Sequence, residues 1–208
     1  MFGFQRIGDL AWAAGDSRSR GFLLGATAGR TTLNGEGLQH EDGHSHLLAA
    51  TIPNCVAYDP CFAFELAVII QNGLERMVKN QEDVYFYITV MNENYTHPDM
   101  PKGVQQGIVD GIYLFSESTN KDSSVHLMGS GVILREVIEA GNILESEYNI
   151  GANIFSVTSF NELRKNALDI ERWNRLNPDK DKKVSHIEAA IKDKESHIIA
   201  STDYMKSF

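Results

Sequence analysis

A chain of 208 residues with 42% hydrophobic content and a formal net charge of −9 can hold one large domain or two small ones, and it lies far from the disordered class. The acidic residues are spread out and there is no basic stripe, which argues against nucleic acid as a partner. No apolar run approaches the roughly 20 residues of a membrane span, and Met1-Phe2-Gly3-Phe4-Gln5-Arg6 lacks the layout of a signal peptide, so a soluble, cytoplasmic α/β protein is expected.

In chain order, Ile7, Leu10, Ala11 and Ala14 form a short apolar stripe that predicts a helix over 5–15, and 21–26 reads as a buried strand. Residues 28–46 form a long, polar, glycine-rich connection of the kind that usually carries function. A strand over 54–58 is closed by Asp59-Pro60, with Pro60 suited to a first helical position. The helix over 61–79 carries Phe62, Leu66, Ile69, Ile70, Gly73 and Met77 on one side and Ala63, Ala67 and Val68 elsewhere, so burial nearly all round is expected. The aromatic and β-branched run Val84 to Val90 is the clearest strand, and a polar, proline-bearing loop follows over 92–101.

The polar segment 116–123 reads as a linker between domains. A second unit follows: a strand at 124–128, the turn Gly129-Ser130-Gly131, a helix near 132–148 and a strand at 153–157. A helix then opens at Ser159 with Glu162 three residues on, a capping-box pattern. A charged loop at 177–183, a short helix near 186–192 and a strand at 197–201 complete it. Strand–helix alternation in both halves predicts an α/β fold of two parallel-sheet units, whose ligands gather at the C-terminal ends of strands.

The candidate chemistry centres on Gly37-Leu38-Gln39-His40-Glu41-Asp42-Gly43-His44-Ser45-His46, which places three of the seven histidines and two carboxylates in ten residues. Such a loop suits proton transfer near neutral pH, with Glu41 or Asp42 orienting an imidazole. It is also compatible with metal binding through His40, His44 and His46, or with plain solvent exposure. Gly129-Ser130-Gly131 is better read as a tight turn than as a dinucleotide fingerprint, because Leu134 occupies the third glycine position. Cys55 and Cys61 lack C-x-x-C spacing and are expected to be buried reduced thiols. Phe2 and Phe4 would by default be core, although a paired aromatic can also stack on a flat heterocycle.

Residues 1–9 and Gly29 to His46 together resemble the homodimeric bacterial pyruvate dehydrogenase decarboxylase component, a thiamine-diphosphate enzyme. The likeness continues through Ile52-Pro53-Asn54-Cys55, Tyr58-Asp59-Pro60, Asn92-Glu93-Asn94-Tyr95, Gly129-Ser130-Gly131, Ser156-Val157-Thr158-Ser159-Phe160 and Ala200-Ser201-Thr202-Asp203-Tyr204-Met205, and so covers essentially the whole chain. Transketolase has a similar Glu-Asp-Gly-x-x-His pattern, matching Glu41, Asp42, Gly43 and His46.

The resemblance implies a partial aminopyrimidine-binding domain over 1–117 and a partial transketolase-type C-terminal domain over 118–208. It implies thiamine diphosphate and Mg2+ as cofactors. The implied partners are pyruvate, a lipoyl-bearing acetyltransferase component and a second copy of the full-length enzyme. His40 would line the reaction centre, His46 would match the transketolase active-site histidine, and Asp42 would hold an imidazole tautomer. Phe2, with Phe4 beside it, would pack on the aminopyrimidine. The magnesium–diphosphate motif and the glutamate that activates the aminopyrimidine are not in this sequence, so it reads as a fragment, inactive alone. A non-enzymatic α/β module pairing through its sheet or the 61–79 helix, a metal-dependent hydrolase and an enzyme for another 2-oxo acid remain as alternatives.

Overall fold

A computed structural model of the chain describes residues 4–25, 41–91, 93–120, 124–191 and 196–207. The first sheet has three parallel strands, β1 (Phe22–Gly25), β2 (Cys55–Tyr58) and β3 (Tyr85–Thr89), in the order β1-β3-β2. β3 pairs Phe86 with both Phe22 and Val56, and all five of its residues are buried. Side chains alternate across a strand, so β3 serves two cores. Tyr85 and Tyr87 pack with Phe4, Ala11, Ala49 and Ile52 on the face covered by α1 (Gly8–Asp16) and α2 (Ser45–Ala49). Phe86 and Ile88 pack with Val56, Tyr58, Ile69 and Met77 on the face covered by α3 (Ala63–Leu74). Covering both faces accounts for the strand's unbroken apolar character.

α3 departs from the expected 61–79 helix. Its buried residues, Glu65, Ile69 and Gly73, recur every fourth position, and Met77 continues the row in a π turn at Glu75–Lys79. Ala63, Ala67, Leu74 and Val78 are exposed, so burial is one-sided. Pro60 lies before the helix, because the Glu65 carboxylate takes the backbone amides of Cys61 and Phe62 and fixes the start beyond them.

The second sheet has the order β4-β6-β5-β7. β5 (Ser124–Gly129), β6 (Gly151–Ser156) and β7 (His197–Ser201) are parallel, as expected, whereas β4 (Tyr113–Ser116) runs antiparallel to β6 at the edge. Short α4 (Gln105–Asp110) precedes β4. The expected 117/118 division therefore falls after a strand that belongs to the second sheet. β4 was hidden because an edge strand of four residues with half its side chains solvated lacks a buried strand's signal. Helices α5 (Ile133–Tyr148), α6 (Phe160–Leu176) and α7 (His186–Ala190) complete this unit. Ser159 caps α6 by accepting from the Glu162 amide, and its hydroxyl donates to Ala57 O at 2.6 Å, tying this helix to β2 of the first unit.

Cys55 and Cys61 are free and buried, and burial pushes the Cys55 thiol up to about 11 and the Cys61 thiol up as well. Among the described residues no helix is long and apolar enough to cross a membrane.

Candidate active site where the strand ends meet

The C-terminal ends of strands from both sheets converge on one buried carboxylate. Asp59 follows β2, Thr89 ends β3, Ser130 and Gly131 follow β5, and Thr202 follows β7. Asp59 N donates to Thr158 O at 2.8 Å and Gly131 N donates to Asp59 O at 3.0 Å, so the backbone at this carboxylate is held by the second unit. Asp59 is 5% exposed. Burial pushes its carboxyl up to about 7; hydroxyls of Thr89 and Ser130 restrain the rise, and Asp203 and Glu65 add to it. Ser130 Oγ also lies 3.1 Å from Thr202 Oγ1, from whose hydroxyl it can accept.

Gly131 completes this enclosure at φ +51°, where a Cβ would stand 2.5 Å from Asp59 Oδ2. The tight turn expected at 129–131 is thus required by a left-handed residue and by close approach to a buried charge. Gly131→Ala is expected to cost about 1–3 kcal/mol, read as a lowered denaturant midpoint at unchanged slope.

Thr89 joins Asp59 to His46. Its hydroxyl donates to Asp59 Oδ1 at 2.6 Å, has Tyr58 O as a second acceptor at 3.3 Å, and lies 3.0 Å from His46 Nε2. His46, in the first turn of α2, is 1% exposed. Its ring meets Tyr204 edge-on at 4.8 Å and Tyr87 at 5.3 Å, and its carbonyl accepts from Asn161 Nδ2 at 2.9 Å. Burial lowers this imidazole to about 3, so it is neutral across the physiological range. His46 therefore differs from a histidine titrating near neutrality, because burial costs its charged form the hydration it would have in water.

The carboxylate beside it in sequence has another task. Asp42 Oδ1 accepts from the amides of His44 at 3.1 Å and Ser45 at 2.9 Å, so it organises the entry to α2 rather than holding the His46 tautomer. The same turn is fastened from three directions: Phe4 N donates to Ser45 Oγ, Met205 N to Gly43 O and Asn161 to His46 O. Phe4 itself is 1% exposed and packs edge-on to Tyr87 at 4.7 Å. Phe4 thus packs as a core anchor, the default expected from its sequence. His44 is exposed while His46 is buried, so these two do not converge on a metal. Among the described residues no group of three or more His, Cys, Asp or Glu is placed so that it could hold a metal ion. His40 and Phe2 lie outside the described residues, as does most of the connection expected over 28–46; its last two residues, Ser45 and His46, begin α2.

A family model described as the pyruvate dehydrogenase E1 component middle domain matches residues 1–98, and a transketolase-like C-terminal domain model matches 111–208. Curated pyruvate dehydrogenase E1 components from Pseudomonas aeruginosa and Escherichia coli K12 are 61% and 56% identical to this chain over 209 residues, matching 100% of it. The chain belongs to the pyruvate dehydrogenase E1 family. It spans 24% and 23% of the length of those two E1 relatives. Solved transketolases share the fold: the enzyme from Campylobacter jejuni has a TM-score of 0.70 at 18% identity, covering 97% of this chain and 27% of its own. A Pichia stipitis transketolase mutant, R525L, has 0.62 at 14% identity, covering 94% and 26%.

In this E1-family chain the sequence pointed to His46 as a candidate and not to Thr89 or Asp59, which the structure joins to it. A signal for both was present, since each closes an expected strand at its C-terminal end, where parallel sheets collect functional groups.

Proposed function

We propose that this chain contributes to the active centre of a thiamine-diphosphate-dependent enzyme that decarboxylates pyruvate and passes the acetyl group to a lipoyl-bearing acetyltransferase component. The observation that carries the reading is the 61% identity, across the whole chain, to an E1 component of that name. The buried polar cluster at the strand ends supports it, because that is where a parallel-sheet unit accommodates a ligand. The working enzyme in this reading is a cytoplasmic homodimer, and Mg2+ is held with the diphosphate by residues outside this sequence.

The donor set fits a flat heterocycle bearing ring nitrogens and an amino group. Tyr87 Oη is buried close to Ser45 and to Gly25, at the end of β1. Beside its ring stands the neutral imidazole of His46. Thiamine diphosphate supplies a carbanion for attack on a carbonyl and an electron sink for loss of carbon dioxide. The chain's own residues orient substrate and manage protons. In this proposal His40 exchanges a proton at the reacting oxygen, and His46 offers a neutral hydrogen-bonding ring. Phe2 stacks on the aminopyrimidine, worth about 0.5–1.5 kcal/mol beyond its area. Asp42 and Phe4 support these groups by shaping the turn that carries them.

The test is turnover by the full-length polypeptide that carries this sequence, given thiamine diphosphate, Mg2+ and a lipoyl domain. Carbon dioxide release and lipoyl acetylation should be faster with pyruvate than with 2-oxobutyrate or 2-oxoglutarate. Preference for a longer 2-oxo acid would reassign the substrate, and no decarboxylation of any would remove the proposal.

A further inference from the structure

We propose that Asp59, acting through the Thr89 hydroxyl, fixes the proton of neutral His46 on Nε2 and keeps the lone pair on Nδ1. The argument is a count of hydrogens. A threonine hydroxyl has one hydrogen to give and two lone pairs with which to receive. Thr89 Oγ1 stands 2.6 Å from Asp59 Oδ1 and 3.3 Å from Tyr58 O. A backbone carbonyl can only accept, and so can an ionised carboxylate, so the single hydrogen is already contested by two acceptors. The carboxylate takes it, being closer and charged. The third neighbour, His46 Nε2 at 3.0 Å, then cannot be an acceptor as well and must donate to a Thr89 lone pair. A neutral imidazole has one N–H, so Nδ1 carries the lone pair.

The groups around this chain of bonds are consistent with it. Tyr87 and Tyr204 enclose the imidazole, and Tyr204 also lies against Thr89, where the hydroxyl's second lone pair remains to receive. Ser130 lies against the carboxylate of Asp59, with Asp203 and Glu65 as the nearby acidic groups. Asp59 does not touch the imidazole and is a positioning residue, with Thr89 the carrier of its effect. The tautomer follows from the Thr89 contacts. Its consequence for turnover rests on the proposed role of His46, since the nitrogen bearing the lone pair is the one able to receive a proton or accept a hydrogen bond from substrate.

The experiment is two-bond 1H–15N correlation spectroscopy of the chain labelled with 15N-histidine, in mildly alkaline solution where Asp59 is a carboxylate. His46 is assigned by the resonances lost in His46→Gln. The wild type and Thr89→Ser should both show the Nε2–H pattern. Asp59→Ala leaves the Thr89 hydrogen only the Tyr58 carbonyl at 3.3 Å, which loosens the hold on Nε2–H, and Thr89→Val removes the acceptor of that proton; in each an Nδ1–H population absent from the wild type should appear. An Nδ1–H or doubly protonated His46 in the wild type would overturn the proposal, as would an unchanged pattern in Asp59→Ala. If Asp59→Ala and Thr89→Val do not fold, the wild-type and Thr89→Ser spectra decide it alone. Full turnover by His46→Gln in the full-length enzyme would strike out the role of His46 and leave the tautomer result standing, so the two failures are distinguishable.

Discussion

Replacing Glu65 with alanine is expected to destabilise the chain by about 3–5 kcal/mol, the scale seen when one partner of a buried charged network is removed. Glu65 is 0% exposed, and its two oxygens receive four donors. Oε2 accepts from the amides of Cys61 at 2.6 Å and Phe62 at 2.9 Å, which sets the start of α3. Oε1 accepts from Tyr113 Oη at 2.7 Å and Ser156 Oγ at 2.6 Å, which belong to β4 and β6 of the second sheet. Burial pushes this carboxyl up and the four donors pull it back. Alanine leaves all four donors without their acceptor, and each buried group so stranded costs on the order of 1–3 kcal/mol. Glutamine is the instructive comparison. Its amide can receive on one side only and must point N–H groups at existing donors on the other, so Glu65→Gln is expected to lose about 1–3 kcal/mol despite matching shape. Urea denaturation measures both. A loss under about 1 kcal/mol for alanine would mean that the carboxylate does not join the two units energetically.

In the full-length enzyme, His40→Ala is expected to lower decarboxylation or acetyl transfer about 10²–10⁴-fold, the usual worth of a positioned proton donor. Single-turnover decarboxylation and lipoyl acetylation measured separately would show which step it serves. His46 should leave a different trace. Because burial keeps its imidazole neutral down to about 3, the pH profile of turnover should carry no inflection from it near neutrality. Unchanged turnover in His40→Ala would remove that residue from the proposed mechanism.

The parts of the fold legible in the sequence are those set by local pattern. β3 was readable because burial on both faces demands an unbroken aromatic and β-branched run, and Tyr85 to Thr89 supplies one. The cap at Ser159 was readable because its bond to the Glu162 amide spans three residues. The edge strand β4 was not, since antiparallel pairing at an edge leaves half of a short strand in water. α3 was misjudged in a telling way. Its composition suggested burial all round, yet its buried row includes a carboxylate while Ala67 and Leu74 face solvent. What permits Glu65 to be buried is the hydroxyl of Ser156, 91 residues away, and no local pattern contains that partner.

The candidate site divides along the same line. By itself the sequence determined that a histidine-bearing turn lies near the ends of parallel strands, because polarity, glycine content and strand periodicity are short-range properties. It also suggested Asp42 as a group holding an imidazole tautomer, from proximity along the chain. A carboxylate just ahead of a helix turns toward the helix's unpaired amides, and Asp42 does so. The imidazole instead found Thr89, 43 residues on, and through it Asp59, 30 residues from Thr89. Those three meet only because β2 and β3 are neighbours in a parallel sheet and the second unit closes over their ends. Which polar groups share a dry cavity is decided by packing between distant segments, and the energy that decides it is the cost of leaving any one of them unpaired.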